Sequence, residues 1–240
     1  MPPSRRSLLS AAVLLPTTAA VVALTSGTAN AAGYSWGRTL RQGTSGEDVR
    51  QLQIRVAGYP GYGAVLALDG IFGPATKGAV TRFQQAYGLG VDGIAGSQTF
   101  GKIRALQDSD NTPIHFTYAE MNRCNSTWGG GAVSAATAKA NAMVTMWKLE
   151  ALRHALGDAP ITISSGFRSA SCNSSVGGVN GSRHTYGDAA DLTGSHSFCT
   201  LAKQARYHGF HGILGPGFPN HNDHVHVSSG DSWSAPNCGV

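Results

Sequence analysis

Histidines are concentrated near the C-terminal end of the chain, where they could bind a metal or transfer protons. Seven of the nine histidines follow position 183, and His221, His224 and His226 fall within six residues. Histidine is the commonest metal ligand and the usual acid–base group near neutral pH. Alternation along a strand would place His224 and His226 on one face and their valine neighbours on the other. The pattern predicts two imidazoles converging on a cleft; the alternative is two surface histidines on an edge strand.

A second group of candidate ligands precedes these histidines. His184 and Asp191 are seven residues apart, and Gly187 between them lets the chain bend. Asp188 is a rival carboxylate. We favour Asp191 as the ligand because it follows a strand-like Ala-Ala pair and precedes a leucine, as a buried ligand would. The alternative is that Asp191 is a turn residue at the end of a strand and binds no metal.

These side chains need a scaffold, and the surrounding segments predict one. Short alternating stretches indicate strands, and apolar periodicity after Ser134 indicates one long helix. One long helix with short strands and many glycine loops predicts an α+β domain with a short antiparallel sheet. The predicted strands are 161–164, 189–192 and 224–227, and the predicted helices are 134–152 and 201–207.

An internal repeat marks a separate unit over residues 38–106. Residues 68–76 read LDGIFGPAT and residues 91–99 read VDGIAGSQT, a period of 23 residues. Each Asp-Gly starts a turn, and the following Pro or Ser opens a helix. Ser45 and Asp48 have the spacing of a capping box before the first helix. The unit is predicted to be a small three-helix module, joined to the next domain by a polar linker over residues 107–117.

Four cysteines, all after residue 120, indicate two disulfides. An even count in an exported chain is typical of disulfide bonding. The sequence contains no Cys-x-x-Cys pair, which argues against a cysteine metal site. Three pairings are possible, of which we favour Cys124–Cys172 and Cys199–Cys238.

The first 31 residues have the pattern of an export signal. Arg5 and Arg6 precede an apolar stretch, and Ala29-Asn30-Ala31 is a small-x-small cleavage site. Pro16 interrupts the apolar stretch, which argues against a membrane-spanning helix. A twin-arginine signal and a general secretory signal both fit. We expect a secreted protein, extracellular or associated with the cell wall, without a membrane segment after cleavage.

The charge excludes one class of partner. The formal charge is +5, and without the two leader arginines 16 basic residues face 13 acidic ones, or +3. This is too weak to indicate nucleic-acid binding. It fits an anionic polymer or simply a mildly basic soluble protein, and we expect a monomer.

The repeat module resembles a peptidoglycan-binding domain of the three-helix type. The resemblance rests on the doubled Asp-Gly-Ile-x-Gly phrase and on Phe83-Gln84-Gln85. It implies anchoring to cell-wall glycopeptide; the alternative is a helical spacer without a ligand.

Residues 113–240 resemble the zinc D-alanyl-D-alanine carboxypeptidase family. The matching residues are the Ser-x-His-x-x-Gly-x-Ala-x-Asp phrase that begins at Ser182, the later His-x-His pair, and Ser-Gly-Phe-Arg-Ser at 165–169. The resemblance implies one Zn²⁺ per chain, bound by His184, Asp191 and His226 with the fourth position open.

The resemblance also implies catalytic roles. Asp223 occupies the position of the general base, where many family members carry Glu. The alternative role for Asp223 is to orient a ligand histidine. His221 and His224 would bind substrate or stabilise the oxyanion. Arg168 matches the position that holds the substrate carboxylate. Weaker substrate contacts are Ser182 and Tyr186.

The favoured function is a secreted zinc peptidase that hydrolyses the C-terminal D-Ala-D-Ala bond of peptidoglycan stem peptides. Two alternatives stay open: a zinc endopeptidase that cuts within those peptides or crosslinks, and a wall-binding protein with an inactive zinc domain. A serine enzyme is not indicated, because Ser-x-x-Lys does not occur.

Overall fold

The structure is a computed structural model that describes residues 33–124, 127–230 and 232–240. The predicted leader, residues 1–31, lies outside the described residues. The described residues belong to a single unit by their contacts. Within the described ranges, every helix is too short or too polar to cross a membrane.

The first module contains the three predicted helices, α1 (Glu47–Arg55), α2 (Pro74–Ala86) and α3 (Ser97–Ala105). The capping box predicted at the start of α1 is wrong. Gly46 is the N-cap, and no side chain caps the helix. The Asp48 carboxylate instead pairs with Arg38 at 2.6 Å.

The sequence repeat corresponds to a repeated hydrogen-bond cluster. Gln53 Nε2 donates to Asp69 Oδ1, and Gln84 Nε2 donates to Asp92 Oδ1, both at 2.8 Å. Each amide also donates to the carbonyl two residues after its Asp and accepts from the glycine NH of the Asp-Gly pair. The two loops are therefore held by equivalent buried glutamines.

The second module surrounds one long helix, as predicted. The Ser134 hydroxyl accepts from the backbone NH of Thr137 and begins that helix. The later elements alternate between helix and strand, which gives the predicted α+β class. They are α4 (Tyr118–Met121), α5 (Ala135–Ala155), β1 (Ile161–Ser165), α6 (Ala170–Ser175), a 3-10 helix (Arg183–Tyr186), β2 (Ala189–Gly194), α7 (Phe198–Ala205), β3 (Gly212–Leu214), β4 (Val225–Ser228), β5 (Trp233–Ser234) and a second 3-10 helix (Pro236–Cys238).

The five strands form one sheet in the order β1-β2-β4-β3-β5. The first four are antiparallel to their neighbours, whereas the two-residue β5 runs parallel to β3. Strand β4 begins one residue later than predicted, so His224 precedes it. Val225 and Val227 face the core, as the alternation predicts.

Helix α5 contributes to two hydrophobic cores. Met146 and Leu149 pack in the core of the second module, whereas Trp147 and Ala151 pack with the core of the first. The helix thus packs against both modules and couples them.

The predicted linker is a packed loop. Fully buried Arg55 donates to Gln107 Oε1 and Asn111 Oδ1, each at 2.8 Å. Trp147 Nε1 donates to the Asn111 carbonyl at 3.0 Å. Polar residues in this segment bind a buried guanidinium instead of forming a free tether.

Both favoured disulfides are confirmed. Cys124–Cys172 joins the segment after α4 to α6, and Cys199–Cys238 joins α7 to the second 3-10 helix. Both crosslinks lie within the second module, the first between a loop and a short helix and the second between two short helices.

Candidate metal centre and active-site cleft

Two predicted ligands are brought together by strand pairing. Asp191 on β2 and His226 on β4 are directly opposite residues of an antiparallel pair. Such residues point to the same face, because side chains alternate along both strands. Asp191 Oδ1 and His226 Nδ1 are 2.9 Å apart.

The third ligand comes from the 3-10 helix before β2. Gly187 ends that helix with φ +78, and a Cβ there would overlap the Ala138 carbonyl. His184 Nδ1 donates to the Gly166 carbonyl at 2.6 Å. A neutral His184 therefore has its lone pair at Nε2, which lies 3.1 Å from both Asp191 Oδ1 and His226 Nδ1.

The three side chains fit a metal ion. All are buried, and their ligand atoms lie within 4.8 Å of one another. With His184 in the tautomer that Gly166 fixes, its Nε2 lone pair faces a carboxylate oxygen, so two acceptors meet without a proton between them. A cation would satisfy both. Two imidazoles and a carboxylate, with room for a further ligand, are a donor set that suits zinc.

Burial and hydrogen bonding set the protonation of the cluster. Burial would raise the pKa of Asp191, but the protons that the adjacent imidazoles of His184 and His226 can carry when no cation is bound outweigh it and hold the pKa below its ordinary value. Burial lowers the pKa of His226 to about 4, against the opposing hydrogen bond to Asp191. A neutral imidazole and an ionised carboxylate are the forms that bind metals.

Arg168 lies directly against the cluster. Its Nη2 donates to Asp191 Oδ2 at 2.7 Å, and its Nε donates to Ser165 Oγ at 2.8 Å. These two bonds fix the guanidinium at the wall of the cleft and leave Nη1 for a ligand.

The rival carboxylate lies elsewhere. Asp188 forms a bidentate ion pair with Arg183, whose guanidinium also lies 4.3 Å from the centroid of the Tyr186 ring. The structure thus brings Asp191, and not Asp188, to the histidines.

The predicted base lies outside the ligand cluster. The Asp223 side chain is 89% exposed, and its Oδ1 accepts from His224 Nδ1 at 2.8 Å. This contact holds the pKa of Asp223 below its ordinary value. His224 Nε2 faces inward, 3.7 Å from Asp191 Oδ1. In the irregular segment before β4, the His224 ring therefore points into the cleft, and the Asp223 carboxylate contacts the outer side of that ring.

His221 forms the outer part of the same wall. Its ring lies 4.8 Å from the His224 ring and 5.2 Å from the Phe218 ring, between centroids. Its Nδ1 donates to the Pro219 carbonyl at 2.7 Å, which leaves Nε2 available.

A cleft of about 500 Å³ opens over these groups. Ser182 lines it, whereas Tyr186 does not, because its ring packs against Arg183. Two exposed valines that the sequence analysis did not indicate, Val176 and Val179, also line the cleft. Two valines in a glycine-rich segment between two site motifs were the available signal.

The fold and this site define a metallopeptidase class of protein, and the family comparisons agree. A family model described as Peptidase M15 matches residues 114–228, and one described as a putative peptidoglycan binding domain matches residues 45–103. The chain belongs to the M15 peptidase family, which agrees with the resemblance of residues 113–240 to zinc D-alanyl-D-alanine carboxypeptidases.

Individual relatives place the chain more finely. It is 69% identical over 210 residues to the zinc D-Ala-D-Ala carboxypeptidase of Streptomyces albus G, covering 86% of this chain and 82% of that protein. It is 33% identical over 96 residues to a spore cortex-lytic enzyme of Oceanobacillus iheyensis, covering 39% and 33%. It is 46% identical over 65 residues to the N-acetylmuramoyl-L-alanine amidase CwlL of Bacillus licheniformis, covering 25% and 18%.

Proposed function

We propose that this protein hydrolyses the C-terminal D-Ala-D-Ala bond of peptidoglycan stem peptides. The observation that carries the proposal is the buried His184, Asp191 and His226 cluster with Arg168 beside it, in a chain 69% identical to a zinc D-Ala-D-Ala carboxypeptidase. Residues 38–106 are assigned to wall binding and residues 113–240 to hydrolysis. The protein acts as a monomer outside the cell, after export by a leader of twin-arginine or general secretory type.

His184, Asp191 and His226 would hold zinc, with His184 Nε2, His226 Nδ1 and an Asp191 oxygen as the donor atoms. Bound zinc supplies a Lewis acid that activates water and polarises the scissile carbonyl. The Gly166 carbonyl keeps His184 in the tautomer that this requires, at 2.6 Å. Arg168 holds the second oxygen of Asp191 and restricts that carboxylate to one orientation.

Arg168 binds the terminal carboxylate of the substrate through Nη1. A guanidinium presents donors in a planar fork that suits a carboxylate. Because two of its nitrogens are already fixed by Ser165 and Asp191, little side-chain freedom is lost on binding. Ser182, on the same wall, contacts the substrate backbone.

His224 serves as the general base, with Asp223 as its orienting partner. The Asp223 contact places the proton of neutral His224 on Nδ1, so that Nε2 can accept a proton in the cleft. This reassigns the role predicted for Asp223, because its own carboxylate lies at the surface. His221 contacts the substrate through Nε2, which accepts a hydrogen bond because the Nδ1 proton is donated to the Pro219 carbonyl. Stabilisation of the oxyanion by His221 would require the doubly protonated ring.

The function is tested by mass spectrometry of the products from purified stem pentapeptides. We expect loss of one D-Ala, abolished by a chelator and restored by Zn²⁺. Cleavage at an internal bond would support the endopeptidase alternative, and no cleavage in the zinc-loaded protein would support the inactive wall-binding alternative.

Arg168→Ala distinguishes a carboxypeptidase from an endopeptidase at the residue level. Loss of the carboxylate anchor should reduce kcat/KM on free D-Ala-D-Ala termini by about 100-fold, the value of one charged hydrogen bond near 3 kcal/mol. The control is Arg104→Ala, which alters an exposed arginine of α3 and should leave activity unchanged. Arg153 is less suitable because it is buried. An unchanged kcat/KM in Arg168→Ala would contradict the anchor role.

A further inference from the structure

Three aromatic rings meet at the surface where the first module contacts the sheet edge. Tyr62 is 56% exposed and Tyr207 is 44% exposed, with 5.0 Å between their ring centroids. The Trp233 ring lies 5.7 Å from the Tyr62 ring. We name Tyr62, Tyr207 and Trp233 the aromatic platform; they come from the loop after α1, the turn after α7, and β5.

The platform is held in place by polar contacts. The backbone NH of Gly63 donates to the Arg206 carbonyl at 2.9 Å, which fixes the Tyr62 loop against the end of α7. The Arg206 guanidinium lies 5.5 Å from the Tyr62 ring centroid and 6.0 Å from that of Trp233. Trp233 Nε1 donates to the Phe210 carbonyl at 3.2 Å. These contacts hold the Tyr62 loop and the Trp233 ring in place, and the Tyr207 ring packs against Tyr62.

The platform adjoins the catalytic cleft. Trp233 pairs with Ile213 of β3. The residues on either side of Ile213, Gly212 and Leu214, line the cleft, as does Ser232 immediately before Trp233. One end of β5 thus borders the cleft while its tryptophan belongs to the platform.

The chemistry of the platform suits a sugar ring. The C–H faces of a pyranose are apolar and slightly positive, and they pack on the negative faces of aromatic rings. The tyrosine hydroxyls and the Arg206 guanidinium add hydrogen-bonding groups for sugar hydroxyls and acetamido carbonyls. A stem peptide in the cleft is attached to a glycan that must lie outside it.

We propose that the aromatic platform binds a sugar of the glycan strand that carries the stem peptide. This inference rests on the proposed function. It gives the enzyme a second contact with its polymer, formed jointly by both modules at the edge of the catalytic sheet.

The test compares two soluble substrates with the full mature chain: a disaccharide pentapeptide and the same pentapeptide without sugar. We expect a lower KM for the disaccharide pentapeptide. The double variant Tyr62→Ala, Tyr207→Ala should lose this advantage, so its KM for the disaccharide pentapeptide should rise about tenfold, which corresponds to about 1.4 kcal/mol. On the free peptide, neither KM nor kcat of this variant should change.

Two controls separate sugar binding from a structural role. Tyr62→Phe, Tyr207→Phe keeps the rings and should retain most of the advantage, and Ile114→Ala removes an exposed apolar side chain elsewhere and should retain all of it. Equal KM values for both substrates in the wild type, or equal KM changes on both in the double alanine variant, would overturn the proposal.

Failure of the proposed function has a different outcome. If the wild type cleaves neither peptide, titration of the free disaccharide followed by tyrosine fluorescence still tests the platform. Saturable quenching that the double alanine variant lacks would support the platform, and no quenching in the wild type would overturn it.

Discussion

At the residue scale, the central feature is a set of acceptors that face one another. His184 is fixed by the Gly166 carbonyl, and its Nε2 lies 3.1 Å from a carboxylate oxygen. Without a cation, this arrangement is favourable only if a histidine takes up a proton. Burial resists that charge, as the lowered pKa of His226 shows. The site therefore favours metal binding over an empty state near neutral pH.

Metal removal should lower thermal stability. Zinc at 100 times its Kd contributes about 2.7 kcal/mol by mass action, which is roughly 5–10 °C in Tm for a chain of this size. Calorimetry with and without chelator measures the shift. His226→Ala should lack both the shift and stoichiometric zinc, while the matched variant Asp188→Ala should keep its zinc. Equal zinc content in His226→Ala and wild type would remove His226 from the ligand set.

The His224 and Asp223 pair makes a separate prediction. His224→Ala should lower kcat by about 100-fold or more, within the range for general acid–base groups, without loss of zinc. Asp223→Asn should have a smaller effect, about tenfold, because the histidine remains but its tautomer is no longer fixed. A larger loss in Asp223→Asn than in His224→Ala, measured as kcat on the free pentapeptide, would favour Asp223 as the direct base.

Some of these residues could be predicted from sequence and others could not. Asp191 could be chosen over Asp188 because its apolar flanks indicate a buried strand. The orientation of Asp223 depends on an irregular loop, for which alternation gives no guide. Tyr186 was a weak substrate-contact candidate within the motif, but its ring packs on Arg183. That contact is made within a 3-10 turn, whose geometry the motif does not specify.

At the scale of elements, short strands and one tight turn position the ligands. Opposite positions on β2 and β4 supply Asp191 and His226, and the turn closed by Gly187 supplies His184. The order of sheet strands places β4 between β2 and β3, so the site lies at the centre of the sheet.

Gly187 can be tested against a glycine with the same backbone conformation. Gly187 and Gly157 both have φ +78, but a Cβ on Gly187 would overlap the Ala138 carbonyl, whereas nothing lies within 4 Å of one on Gly157. Both Ala variants carry the left-handed cost of about 1 kcal/mol. Gly187→Ala should lose additional stability and zinc affinity, measured by denaturant unfolding and metal titration. Equal losses in the two variants would show that the close approach at Gly187 is unimportant.

The strands and the repeat were predictable because both leave local patterns. Alternation identified β1, β2 and most of β4, and the repeated Asp-Gly phrase identified the two loops. The short β3 and β5 were not predicted, since three and two residues are too few to show a period. The role of Gln53 and Gln84 as loop anchors depends on tertiary contacts with the aspartates.

At the scale of the whole molecule, the two modules are not independent. Helix α5 packs in both cores, and buried Arg55 is surrounded by amide oxygens and aromatic rings from several segments. Composition marked residues 107–117 as a linker, but the polar side chains there bind Arg55. Sequence periodicity shows that α5 is apolar, but not which face meets which module.

His208 links the modules and should make stability depend on pH. Its Nδ1 donates to the Gly58 carbonyl at 2.8 Å, and burial lowers its pKa below the ordinary value of 6.5. A base with a depressed folded pKa contributes stability that is present above its unfolded pKa and lost as pH falls toward the folded value. Unfolding free energy should therefore fall from pH 7.5 to pH 5, and less steeply in His208→Gln. Parallel curves for the two proteins would contradict this role.

Zinc-dependent carboxypeptidase activity with Arg168 as the carboxylate anchor is tested most directly with two tripeptides that end in D-Ala-D-Ala. One tripeptide has a free terminal carboxylate and the other is amidated. The measurement is kcat/KM for the zinc-loaded protein. We expect release of D-Ala from the free acid and a kcat/KM at least about 100-fold lower for the amide, because Arg168 loses its charged partner. Equal kcat/KM on both peptides, or release from the free acid that persists after zinc is removed, would contradict this expectation.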